Sequence, residues 1–75
     1  MAYTAAVITV SDKCSTGERI DTSGPAVVSM LKEAGYDVIF SSVVPDEQDI
    51  ISAELVKCEH EIGADLIVTT GGTGL

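Results

Sequence analysis

Leu66-Ile67-Val68-Thr69-Thr70-Gly71-Gly72-Thr73-Gly74 is an apolar β-type run that breaks into a turn with three glycines in four residues. Such a turn at the carboxyl end of a buried strand is where open α/β sheets take up ligands. Without side chains, glycines let the backbone approach a ligand closely and aim successive N–H groups into one concavity, which suits phosphate or another anion. Read alone, the segment is equally compatible with a tight turn that holds nothing, because turns collect glycine for conformational reasons.

Working back from that turn, the chain alternates strand and helix patterns. Ala5-Ala6-Val7-Ile8-Thr9-Val10 is a short apolar run ending at Ser11-Asp12, as for a strand buried on both faces. Ser23-Gly24-Pro25 predicts a helix start with serine as cap and proline in the first turn. Val27, Met30, Leu31 and Ala34 follow at helical spacing, and Gly35 is the expected terminator. A second strand spans residues 37–44 and stops at Pro45. The acidic pair Asp46-Glu47 then opens a second helix, whose apolar stripe is Ile51, Leu55, Cys58 and Ile62 and whose end is Gly63. The third strand is residues 65–70. The order β-α-β-α-β predicts a three-layer α/β domain with a parallel sheet, right-handed crossovers and strand order 2-1-3.

In that topology all three strand ends share one edge. Ser11 and Asp12 follow the first strand, Pro45 and Asp46 the second, and Thr70, Gly71, Gly72, Thr73 and Gly74 close the third. Two carboxylates and a glycine-rich amide nest thus converge at the topological switch point. Taken singly, Asp12 is compatible with capping a turn and Asp46 with capping a helix.

Composition removes several function classes. The 75 residues carry 4 basic and 12 acidic side chains, a formal charge of −8, which works against nucleic acid and anionic membranes as partners. An acidic protein holds an anionic ligand only if amides and a cation offset the repulsion, so magnesium is the expected ion. A unit of this size hides only about 60% of its unfolded surface, and with no tryptophan the core is aliphatic. The 2 cysteines, Cys14 and Cys58, and the single histidine, His60, have no zinc-site spacing. Cys58 belongs to the core stripe and His60 to the polar side; Cys14 reads as a variable surface position, with only Lys13 near enough to activate it. There is no basic leader and no apolar stretch near the ~20 residues that span a bilayer, so the expected location is the cytoplasm, with reduced thiols.

The glycine turn is not a P-loop, since no lysine follows it, nor a dinucleotide fingerprint. Instead, Val10-Ser11-Asp12, Asp21-Thr22-Ser23-Gly24-Pro25, Val44-Pro45-Asp46-Glu47 and residues 69–74 together closely resemble the molybdopterin-binding MogA/MoaB family, the molybdopterin adenylyltransferases. The resemblance covers essentially the whole chain. The TGGTG turn alone is shared with molybdopterin molybdenumtransferase domains and the CinA-like domain, whereas the other segments resemble the adenylyltransferase branch.

The resemblance implies an enzyme of molybdenum cofactor biosynthesis that adenylylates molybdopterin from Mg-ATP and releases pyrophosphate. It implies that Asp46 is catalytic and that Thr70, Gly71, Gly72, Thr73 and Gly74 bind molybdopterin. Ser11 and Asp12 are weaker candidates for substrate contacts; Asp46 and Asp12 are the candidate magnesium ligands. Asp21 and Ser23 match a family segment but serve chiefly the helix start. A homotrimer, and contact with the metal-inserting enzyme, are further implications for the full-length protein. Complete members of the family are longer, and the residues after the glycine turn supply another aspartate, further strands and trimer contacts. Residues 1–75 therefore read as the N-terminal half of such a domain, with little or no turnover by themselves. Two alternatives remain: a molybdopterin-binding or assembly module without catalysis, and a CinA-like nucleotide pyrophosphatase domain.

Overall fold

The computed structural model describes residues 3–12, 16–17 and 23–71. Its elements are β1 (Thr4–Val10), α1 (Ser23–Glu33), β2 (Asp37–Val44), α2 (Gln48–Lys57) with a π-helical turn (Cys58–Ile62), and β3 (Leu66–Thr70). The three strands form one parallel sheet in the order β2-β1-β3. This is the expected α/β arrangement with the first strand central.

β1 is central because its side chains can be buried on both sides. Ala5, Ala6, Val7 and Ile8 are fully buried, and Val10 and Thr9 nearly so. Alternation along the strand sends Ala6, Ile8 and Val10 to one face, where they join Val44 and Cys58 in the core. Ile51, Leu55 and Ile62, the predicted stripe of the second helix, pack against that cluster together with Phe40 and Ile67. Ile8 is the largest of the fully buried side chains. In the full-length protein Ile8→Ala is expected to cost about 3 kcal/mol, measured as a lower urea midpoint at unchanged slope.

α1 lies over the opposite face, and here the structure corrects the sequence pattern. Met30 is 66% exposed, and the sheet-facing residues are Gly24, Val27, Val28 and Leu31. Gly24 is the buried residue of α1, and the covered stripe runs from it through Val27, Val28 and Leu31, away from Met30. Pro25 occupies the first turn as expected. The helix ends where Gly35 takes φ +96°. Tyr36 N–H donates to the Leu31 carbonyl at 2.9 Å and Gly35 N–H to that of Lys32 at 3.1 Å, which satisfies two carbonyls at the helix end.

The second helix begins at Gln48, just after the Asp46-Glu47 pair expected to open it, and it also differs from expectation in its last turn. Gly63 N–H reaches back to the Cys58 carbonyl at 2.9 Å, so residues 58–62 are wound more widely than an α-helix. Cys58 is in the core cluster and Ile62 packs against it, as the stripe predicted. Burial raises the Cys58 thiol pKa, with Glu54 adding to the rise and Lys57 opposing it. The thiol is therefore an inert packing group at neutral pH, as the stripe implied.

At the amino ends of β1 and β3, Thr4 and Asp65 are joined by several hydrogen bonds. Asp65 Oδ2 accepts from Thr4 N–H (2.9 Å) and Thr4 Oγ1 (3.1 Å), and the Asp65 N–H donates to Thr4 Oγ1 (3.1 Å). This clamp sets the register in which Ala5 faces Leu66 and Thr9 faces Thr70. Register in turn decides which loops meet at the other end of the sheet.

Candidate active site

The carboxyl ends of the three strands lie along one edge, and the loops that leave them are tied together. Past Val10, the Ser11 N–H continues the ladder to β2 by donating to the Val44 carbonyl at 2.9 Å. The chain then turns at Asp12, whose carbonyl accepts from both the N–H and the Oγ1 of Thr16 at 3.1 Å. Pro45 has no N–H, and its carbonyl accepts from Glu47 N–H at 2.8 Å, closing a very tight turn between β2 and α2. Asp46 is at the tip of that turn.

Asp12 and Asp46, 34 positions apart, meet here: Asp12 Oδ1 accepts the backbone N–H of Asp46 at 2.8 Å. Both residues are exposed. The position that caps α2 is Glu47, whose side chain makes no capping bond, so Asp46 does not serve as the helix cap. The Asp46 carboxylate makes no hydrogen bond or ion pair with any described residue, and the residue is exposed, with its backbone N–H on a second carboxylate. Such a pair attracts cations.

Gly71 opens the third loop at φ +80°. A Cβ on it would stand 2.9 Å from the Val10 carbonyl oxygen, so the turn after β3 lies directly against the end of β1. Thr70, half-buried, is paired with Thr9 just before it. The structure thus brings together Ser11, Asp12, Asp46, Thr70 and Gly71 on one edge. Gly72, Thr73 and Gly74, like Asp21 and Cys14, lie outside the described residues. Among the described residues no three His, Cys, Asp or Glu side chains form a ready-made metal cage. His60 is exposed on the π-helical turn, far along the chain from these loops.

Two features of the edge have no signature in the sequence. One is the Val10 carbonyl, a backbone group that sets the space available to the glycine turn. The other is a groove of about 370 Å³ between α1 and the sheet, with Thr9 and Ser41 on one side and Gly24, Pro25, Val28 and Ser29 on the other.

A family model described as "probable molybdopterin binding domain" matches residues 6–75. The chain belongs to that family. Among relatives of the molybdopterin-binding domain, the molybdopterin adenylyltransferase of Pyrococcus furiosus is 45% identical over 71 residues, which cover 92% of this chain and 40% of the relative. The solved tungsten cofactor synthesizing protein MoaB of Pyrococcus furiosus matches with a TM-score of 0.88 at 39% identity, covering 99% of this chain and 45% of that one. The protein CinA of Thermoplasma acidophilum, described as of unknown function, matches with a TM-score of 0.84 at 32% identity, over 97% of this chain and 42% of that one. The chain spans about 40% of the length of the curated adenylyltransferase relatives it matches. Among the described residues no helix is long and apolar enough to cross a membrane.

Proposed function

We propose that this chain is the N-terminal part of a molybdopterin adenylyltransferase of molybdenum cofactor biosynthesis. The observation that carries the reading is the Asp12–Asp46 contact, which sets two exposed carboxylates on the sheet edge from which the glycine turn departs. The adenylyltransferase relatives support the choice of reaction.

In that reaction an oxygen of the terminal phosphate of molybdopterin attacks the α-phosphorus of ATP. A new P–O bond forms, the bond from that phosphorus to the bridging oxygen breaks, and pyrophosphate leaves with the electron pair. A phosphate monoester has its second pKa at about 6, so the attacking oxygen is already anionic at neutral pH and needs no strong base. The barrier is the meeting of two polyanions. Magnesium suits the donors present, because it asks for one or two carboxylates and completes its shell with phosphate oxygens and water. Asp46 would hold it; bound there, it would neutralise charge on the ATP phosphates. By the reading of the sequence, Gly71, Gly72 and Gly74 would give backbone N–H groups to phosphate, and the hydroxyls of Ser11 and Thr70 are the candidate further donors. We further propose a cytoplasmic homotrimer that hands its product to the metal-inserting enzyme.

The test is incubation of the full-length protein with molybdopterin, ATP and magnesium. Adenylyl-molybdopterin and pyrophosphate are expected in equal amounts. Retention of molybdopterin with no ATP-dependent product would instead identify a binding module, and cleavage of a pyrophosphate bond without molybdopterin would favour CinA-like chemistry.

A further inference from the structure

We infer that Asp12 acts as a positioning residue for Asp46, through its Oδ1 as a hydrogen-bond acceptor and not as a ligand of a cation or nucleotide. The inference rests on the proposed adenylyl transfer for its catalytic consequence, but on the geometry of the edge for its cause.

The turn at residues 45–47 has few anchors. Pro45 has no N–H to give, and the Glu47 N–H is used inside the turn, on the Pro45 carbonyl. The Asp46 N–H is the remaining donor, and Asp12 Oδ1 takes it at 2.8 Å. Among the described residues this is the sole hydrogen bond that ties Asp46 to another element. Asp46 is exposed, so side-chain packing does not hold it in place. The anchor is itself fixed: Ser11 is bonded to β2, and the Asp12 carbonyl closes its own turn with Thr16. A rigid strand end thereby aims a carboxylate carried on an otherwise loosely held turn.

The two roles differ in what they need from the side chain. Accepting an N–H needs an oxygen at Oδ1, which asparagine also supplies, whereas holding a cation needs the charge, which asparagine lacks. In the full-length protein Asp12→Ala is expected to lower kcat by about 100-fold, as for a misplaced reacting group, with little change in KM for ATP. Asp12→Asn is expected to recover activity to within about fivefold of wild type, the residual loss being that between a charge-assisted and a neutral hydrogen bond. On an Asp46→Ala background, Asp12→Ala is expected to change the remaining rate by less than about twofold, since it has no carboxylate left to aim.

An Asp12→Asn variant as inactive as Asp12→Ala, or full additivity with Asp46→Ala, overturns the inference. A wild-type protein that makes no product would overturn the proposed reaction, and the positioning is then read directly. The Asp46 amide, followed by NMR, is expected to exchange slowly with solvent in wild type and Asp12→Asn and quickly in Asp12→Ala. Equal exchange in all three overturns the positioning.

Discussion

Substitution of Asp46 by Ala in the full-length protein is expected to reduce formation of adenylyl-molybdopterin by at least about 100-fold, the scale of losing one group that stabilises charge in a transition state. The physical ground is its place at the tip of the tight turn after β2, exposed, with a carboxylate that no described residue neutralises. Neither α2 nor the turn depends on that side chain. The cap position is Glu47, and the turn is closed by backbone and by Asp12. The fold should therefore be indifferent to the change, with unfolding free energy altered by no more than about 0.5 kcal/mol. Steady-state rates and urea unfolding of the same preparation check both parts. Activity that survives would remove Asp46 from the reaction, and loss of stability in parallel would reassign it to the fold.

Gly71→Val should act on the fold and the site together. At φ +80° a side chain is strained wherever it points, by about 1–2 kcal/mol, and a β-branched one by more. The new Cβ would also meet the Val10 carbonyl oxygen at 2.9 Å, a backbone atom that cannot rotate away. Moving that carbonyl tilts its own planar peptide group, whose other end, the Ser11 N–H, is bonded to Val44, and with it the strand end that carries Asp12. Gly35 separates the two causes. It too has positive φ, +96°, but nothing stands within 4 Å of its Cβ position. Gly35→Ala should show only the conformational cost, Gly71→Ala that cost plus the contact, and Gly71→Val the largest loss, with molybdopterin affinity lowered by about 100-fold or more. Urea unfolding and calorimetric titration of the three variants check the order. Equal stability of Gly35→Ala and Gly71→Ala would mean that the turn does not press on β1.

The strand-helix alternation was plain in the residues because each element states its period locally. Val7 and Ile8 side by side at the centre of β1 announce a strand covered on both faces, and Ile51, Leu55, Cys58 and Ile62 announce the face of α2. Gly35 announced the end of α1. The face of α1 was less legible: Met30 has the right spacing, but the covered stripe runs through Gly24, Val27, Val28 and Leu31, and how a helix is seated is a property of the sheet beneath it. The π-helical turn was not legible either, since it alters winding without altering which residues are apolar.

By itself, the sequence determined the parallel β-α-β-α-β order, hence the edge at which Asp12, Asp46 and Gly71 would be found, and the residue types that can manage phosphate and a divalent cation there. These follow from spacing along a chain, which is a one-dimensional property. Only the tertiary structure decided what those residues do to one another. That Asp12 Oδ1 receives the Asp46 N–H and that Gly71 lies against the Val10 carbonyl are facts of register. The β1–β3 register is held far away, at the Thr4–Asp65 clamp, and the β1–β2 register by its own ladder up to Ser11 and Val44, because a one-residue slip of either outer strand would carry its loop to a different neighbour.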